Sequence, residues 1–135
     1  MELQVGVKIL LKGIDGKYLL VRRNPEKYPE AGDKLWDIIG GRINPGSPLF
    51  DNLKREVKEE VDLDLSAEPK LLAAQDILRV PERHVVRLTY IGGASGTPKV
   101  DGIEHTECRW FGVEEIKALP GLDIYFKEVM EKNGL

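Results

Sequence analysis

A pair of glycines followed by one long amphipathic run constrains this chain more than any other feature. The stretch is Gly40 to Leu63, GGRINPGSPLFDNLKREVKEEVDL. Gly40 and Gly41 open it as a turn. Ser47 and Pro48 then predict a helix start, with a hydroxyl to cap free N–H groups and a proline at the first helical position. The helix is expected from about Pro48 to about Asp62. At about 100° per residue, Phe50, Leu53, Val57 and Val61 fall on one side and are the expected core face. Glu56, Glu59 and Glu60 share a neighbouring wedge, and Lys54, Arg55 and Lys58 point mostly away from it.

Three carboxylates at i, i+3 and i+4 repel one another by about a few tenths of a kcal/mol per pair. A divalent cation would relieve that repulsion. Mg²⁺ is a hard ion that takes oxygen ligands, commonly one or two carboxylates together with substrate phosphates. A plain solvated face is the competing reading, and Asp51, Arg55 and Glu59 support it as an i, i+4 ladder of alternating sign.

The glycines and acids together resemble the Nudix box, written G-x5-E-x7-R-E-U-x-E-E-x-G-U with U aliphatic. Gly41, Arg55, Glu56, Val57, Glu59, Glu60 and Leu63 match it in register. Ser47 stands where the box has Glu, and Asp62 where it has Gly. The resemblance extends along nearly the whole chain. It includes an early hairpin, Trp36 a few residues before the glycines, and the closing stretch Glu104 to Phe111 with Glu114-Glu115-Ile116 after it. It implies a single domain over residues 1–135: an α/β protein of the Nudix type, an α/β/α sandwich with a mixed sheet.

The resemblance also implies chemistry. The expected reaction is Mg²⁺-dependent (or Mn²⁺-dependent) hydrolysis of a diphosphate linkage in a nucleoside diphosphate derivative, such as a nucleoside triphosphate, ADP-ribose or a nucleotide sugar. Cations would screen the phosphate oxygens and lower the pKa of a bound water. Carried over by position, Glu56, Glu59 and Glu60 become metal ligands, with the Gly41 carbonyl beside them. Glu56 is the leading base, and Arg55 orients a carboxylate. Glu104 is a further acid or base candidate from a later loop, ahead of Asp101 and Glu107. Arg22 and Arg23, at a strand end, read either as ordinary terminal charges or as an Arg fork facing substrate phosphate.

Two other functions compete. One is a non-catalytic nucleotide-binding module, supported by the missing acid at Ser47 and opposed by the intact REVKEE run. The other is diphosphate isomerisation, which needs a reactive cysteine. Cys108 is the sole cysteine and lies in an expected late strand, where burial is the simpler reading.

The rest of the chain sets bounds. Hydrophobic residues make up 41% and charged residues 32%, with a net charge of −3. Those are the proportions of a soluble globular domain with no bulk attraction to nucleic acid or anionic membrane. No apolar run approaches the ~18 residues of a membrane span. Glu2, Gln4 and Lys8 break any signal-peptide layout, so a cytoplasmic location is expected.

Val5, Val7, Ile9 and Leu11 alternate as a strand, Gly13–Gly16 turns, and Tyr18–Val21 returns. Leu35–Ile39 is a short strand with Trp36 in the core, and residues 66–70 form a connector. Leu71–Leu78, His84–Ile91 and Glu104–Phe111 are further strands, with Gly92 to Pro98 between the last two as a flexible loop. His84 reads as a surface residue. Val113–Leu119 is a short helix stopped by Pro120-Gly121. Leu122, Tyr125, Phe126, Val129 and Met130 form the stripe of a C-terminal helix, packed on the sheet or serving as a homodimer contact.

Overall fold

The computed structural model describes residues 1–135. Its central strand is β1 (Glu2–Lys12), where apolar residues run through both faces. β1 pairs antiparallel with β2 (Tyr18–Arg23) at its end and with β4 (Ile39–Arg42) over Gly6–Ile9. On its other side it pairs in parallel with β7 (Arg83–Ser95) from Glu2 to Lys12. β2 also carries β3 (Trp36–Asp37) and β8 (His105–Phe111), and β7 carries β5 (Asp64–Leu65) and β6 (Lys70–Ile77), all antiparallel. The sheet is therefore mixed, as expected.

Strand alternation sends successive β1 side chains to opposite faces. Val7, Ile9 and Leu11 meet Leu53, Val57 and Val61 of helix α1 (Leu49–Val61) in one core. Leu10 points the other way, to a second core with Trp36, Ile116, Phe126 and Met130 beneath α2 (Val113–Lys117) and α3 (Ile124–Lys132). Helices on both faces of the sheet make the α/β/α sandwich. Trp36 is buried, packing edge-to-face on Phe111 with ring centroids 5.2 Å apart.

Three local expectations are corrected. Pro48 is the residue before the first helical turn, and neither it nor Ser47 caps α1 with a side chain. Asn52 ties this end together from inside the helix. Its amide nitrogen donates to the Ser47 and Pro48 carbonyls at 2.9 and 2.8 Å, and its oxygen accepts from Asn44 N–H at 2.9 Å. Asn52→Ala is expected to cost about 1–2 kcal/mol, because it removes the part-buried hydrogen bonds to the Asn44 N–H and to the Ser47 and Pro48 carbonyls; thermal or urea unfolding checks this.

Phe50 is only half-buried, beneath the Lys54 ammonium at 5.4 Å, rather than in the core. Gly92–Ser95 are strand, not loop, because β1 extends far enough to pair Leu11 and Lys12 with Gly92 and Gly93. A Cβ at either glycine would sit 3.1 Å from Pro69 or Ser66, so their bareness lets the 66–69 connector cross the strand. The same extension creates β5, which pairs Asp64 with Ser95 and Leu65 with Ala94 and which local pattern does not reveal.

α1 stops at Asp62, in the left-handed region at φ 55°, ψ 39°, with its N–H bonded to the Lys58 carbonyl. Asp tolerates that conformation where most residues do not, and Lys58 Nζ lies 3.2 Å from its carboxylate. The box glycine is thus replaced without breaking the turn.

Candidate active site

β4 sets two glycines against α1. Gly40 has φ +146°, and a Cβ there would lie 2.0 Å from the Val7 carbonyl oxygen, so no side chain fits. Its N–H donates to Glu60 Oε2 at 3.0 Å. A Cβ on Gly41 would lie 2.8 Å from Glu56 Oε1, so the missing side chain leaves room for that carboxylate against the backbone. Gly41→Ala is expected to keep the fold, since the crowded group is a movable side chain. It should lower turnover by about 10²-fold through misplacement of Glu56, read from kcat beside an unchanged melting temperature.

Glu60 is 5% exposed and Glu56 is largely covered. Burial first, and then the adjacent Glu56 carboxyl, push the Glu60 acid well above the usual carboxylate range, while Lys8 and the Gly40 N–H act in the opposite direction. Two carboxylates held this close in a dry place favour a shared proton or a cation.

Arg55 is the clamp. Its Nη1 donates to Glu56 Oε1 at 2.9 Å and to Glu59 Oε2 at 3.4 Å. Its Nη2 donates to the Arg42 carbonyl and to Asn52 Oδ1, both at 3.0 Å. Ser47 supplies no acid, and Asn52 and the Arg42 carbonyl hold the guanidinium. The sequence signal for Asn52 was a polar residue one position from the apolar face, three residues before Arg55.

The three box acids are not gathered together. Glu59 is turned outward, its side chain 60% exposed and on Arg55, and no three His, Cys, Asp or Glu side chains are arranged to hold an ion. What converges is Glu56, Glu60 and the Gly41 backbone. That hard oxygen set, with two acids in mutual contact and space that a Cβ would fill, fits Mg²⁺ or Mn²⁺.

His105 Nε2 lies 3.3 Å from Glu60 Oε1. Burial, followed by the Lys8 charge, pulls this imidazole down to about 4. Its ring packs on Tyr28 with centroids 6.2 Å apart. The Tyr28 phenol is pushed up to about 12, by burial first and then by the charges of Glu104 and Glu60. Glu104 is exposed, with its charge felt at Tyr28 and no bond to the carboxylate pair; Asp101 holds its loop by accepting the N–H groups of Ile103, Glu104 and His105. Glu107 instead pairs with Arg109. His105 and Tyr28 carried no motif and were missed.

The expected Arg22–Arg23 fork does not form, because neighbouring strand residues point to opposite faces. Arg22 donates to Thr106 Oγ1 at 3.3 Å. Arg23 is mostly buried and bonds Asp37, Asp123 and the Lys34 carbonyl. Cys108 packs against the first core, and burial pushes its thiol up, with Glu107 adding to the effect. That is the opposite of an activated nucleophile. His84 lies 2.7 Å from Asp76 at the strand edge, away from the acids.

Comparison with known proteins follows the same lines. The NUDIX domain family matches residues 2–132. The structure of a MutT protein from Methanosarcina mazei Go1 superposes with a TM-score of 0.83 at 27% identity, covering 98% of this chain and 93% of that one. A MutT NUDIX hydrolase from Burkholderia pseudomallei gives 0.81 at 27% identity, covering 97% and 98%. Among curated sequences, the NAD-capped RNA hydrolase NudC of Stutzerimonas stutzeri (strain A1501) is 30% identical over 108 residues, 78% of this chain. The match spans 36% of that relative's length. The box acids set against a double glycine, inside a domain matched almost from end to end, place this chain in the Nudix family of hydrolases acting on phosphoanhydride bonds.

Proposed function

We propose that the chain is a divalent-metal-dependent pyrophosphohydrolase that cleaves the diphosphate linkage of a nucleoside diphosphate derivative. The observation that carries this reading is the convergence of Glu56, buried Glu60 and the Gly41 backbone. Glu56, Glu60 and the Gly41 carbonyl would hold Mg²⁺ or Mn²⁺, with Glu59 joining by turning from Arg55. When bound, the ion would supply charge neutralisation at the phosphates and acidify a bound water. Arg55 fixes the Glu56 carboxylate, and the free Glu56 oxygen accepts the proton of the attacking water. Glu60, anchored by the Gly40 N–H, would give up its proton to a bound cation and point its oxygens at the same spot. The reading includes a cytoplasmic site of action; no helix is long and apolar enough to cross a membrane.

The binding-module alternative rested on Ser47. Arg55 has four hydrogen bonds without an acid there, which weighs against that support. The test is incubation with nucleoside triphosphates, ADP-ribose and nucleotide sugars in Mg²⁺ or Mn²⁺, with products identified by mass. Release of a nucleoside phosphate from at least one compound is expected. Tight binding with no product from any of them would overturn the reading.

A further inference from the structure

Two clefts adjoin on the far side of Tyr28 and His105 from Glu60. One, of about 240 Å³, is lined by Arg23, Lys34, Arg79 and Arg87 between Tyr28 and Tyr125. The other, of about 280 Å³, is lined by Arg42, Arg79 and Arg83. Glu30, Ile77 and Arg79 line both, so they form one trough. Six cations face it against two acids, Glu30 and Asp123, in a chain whose net charge is −3. The gathering therefore runs against the overall charge.

Arg23 and Arg87 are committed to Asp37 and Asp123. Lys34, Arg42, Arg79 and Arg83 form no ion pair. Arg87 is 5% exposed, yet its Nε has no hydrogen-bond partner, an uncommon state for a buried donor. The trough meets the reaction site at Tyr28, whose ring packs on His105, and His105 Nε2 lies 3.3 Å from Glu60. The aromatic rings offer little to a planar base. Tyr28 already has the Arg23 guanidinium at 5.8 Å and His105 beside it, and Tyr125 has the Arg79 guanidinium at 5.9 Å. What remains is a line of accessible donors without acceptors: Lys34, Arg42, Arg79 and Arg83.

We propose that this trough binds a run of phosphates extending beyond the scissile diphosphate, so that the substrate class is a nucleotide carrying a chain of more than two phosphates rather than a nucleotide sugar. Guanidinium groups match phosphate oxygens in pairs, and several along one wall read chain length. The proposal rests on the reading above, which places the scissile bond at Glu56 and Glu60.

Two measurements test it. Calorimetric titration with inorganic tripolyphosphate, in chelator and without metal, compares native protein with the Arg79→Gln/Arg83→Gln double variant and with Arg42→Gln. Affinity is expected to fall by about tenfold or more in the double variant, and native affinity to weaken as salt rises. Equal affinity in all three overturns the proposal. The second measurement is kcat/KM in Mg²⁺ on a dinucleoside tetraphosphate and on ADP-ribose. The native enzyme should prefer the tetraphosphate, and the double variant should lose about tenfold more on it than on ADP-ribose. Equal losses on both substrates, or a native preference for ADP-ribose, overturn it. Should neither substrate be cleaved while tripolyphosphate binding stays sensitive to the variants, the hydrolase reading fails and the trough stands as a phosphate site.

Discussion

Glu56→Gln is expected to slow turnover by about 10²- to 10⁴-fold, the range for loss of a positioned base, while leaving the fold intact or slightly more stable. The two halves of this prediction come from one geometry. Glu56 lies against buried Glu60 and between Gly41 and Arg55. Gln keeps the shape and still accepts from Arg55 Nη1, so packing is preserved. It removes the neighbouring charge that, after burial, pushes the Glu60 acid up, so the metal-free protein should gain stability on the order of 1 kcal/mol. It also removes the oxygen that takes a proton from water and half of the charge that would attract a cation. The matched control is Glu59→Gln. Glu59 is largely in solvent on Arg55, so a smaller loss is expected, through weaker metal holding. The measurement is kcat across a Mg²⁺ titration beside thermal melts in chelator. A Glu56→Gln enzyme within about threefold of native at saturating Mg²⁺ would remove Glu56 from the reaction.

What could be read from sequence was what repeats locally. Alternation in β1, the apolar return run of β2, the Gly13–Gly16 turn, the apolar stripe of α1 and that of the C-terminal helix are each set by residues a few positions apart. The box residues were legible for the same reason: Gly41 lies across from the helix that follows it. The missed parts depend on partners far along the chain. Asp64 joins a strand only because Ser95 comes alongside it. Arg23 read equally as a strand-end charge or a phosphate ligand because nothing near it in sequence shows Asp123, a hundred residues on, as its partner. His105 and Tyr28 acquire meaning only when the ends of β8 and of the 24–34 loop meet over Glu60. Asp37, a charge between Trp36 and Ile38 in a buried strand, was the one visible anomaly.

That anomaly gives the second large effect. Asp37→Asn is expected to destabilise the domain by about 3–5 kcal/mol, as loss of one partner does in a buried ion network. On the scale for a chain of this size that is a drop of about 10–20 °C in melting temperature. Asp37 is 1% exposed and accepts from Lys8 Nζ at 3.1 Å, Arg87 Nη2 at 3.1 Å, the Ile38 N–H at 2.8 Å and Arg23. Arg87 reaches on to Asp123 at 3.1 Å, and Asp123 caps α3 by accepting the Phe126 N–H at 3.0 Å. The network therefore ties β1, β2, β3 and β7 to the helix on the far face. With Asn at 37, Lys8 would lose its ion-pair partner and Arg23 and Arg87 would share Asp123 alone.

Burial by itself pushes the Asp37 acid upward, but Arg87, Lys8 and Arg23 together more than offset this and hold it below the usual carboxylate range. A carboxylate whose folded pKa is depressed stabilises the fold fully above its unfolded value, and that stability is lost as pH falls. Native protein should thus lose stability progressively below about pH 4, where the unfolded acid takes up its proton first. Asp37→Asn should be weaker at pH 7 and show a shallower acid limb. Lys8 gives the variant a functional signature too, since its ammonium lies 3.4 Å from the Gly40 carbonyl beside Glu60. Freed from Asp37, it can shift toward the acid pair and compete there with a cation. Urea unfolding at stepped pH and the Mg²⁺ dependence of turnover would check both parts. Parallel acid limbs for native and variant would mean that Asp37 is not the group that sets acid stability.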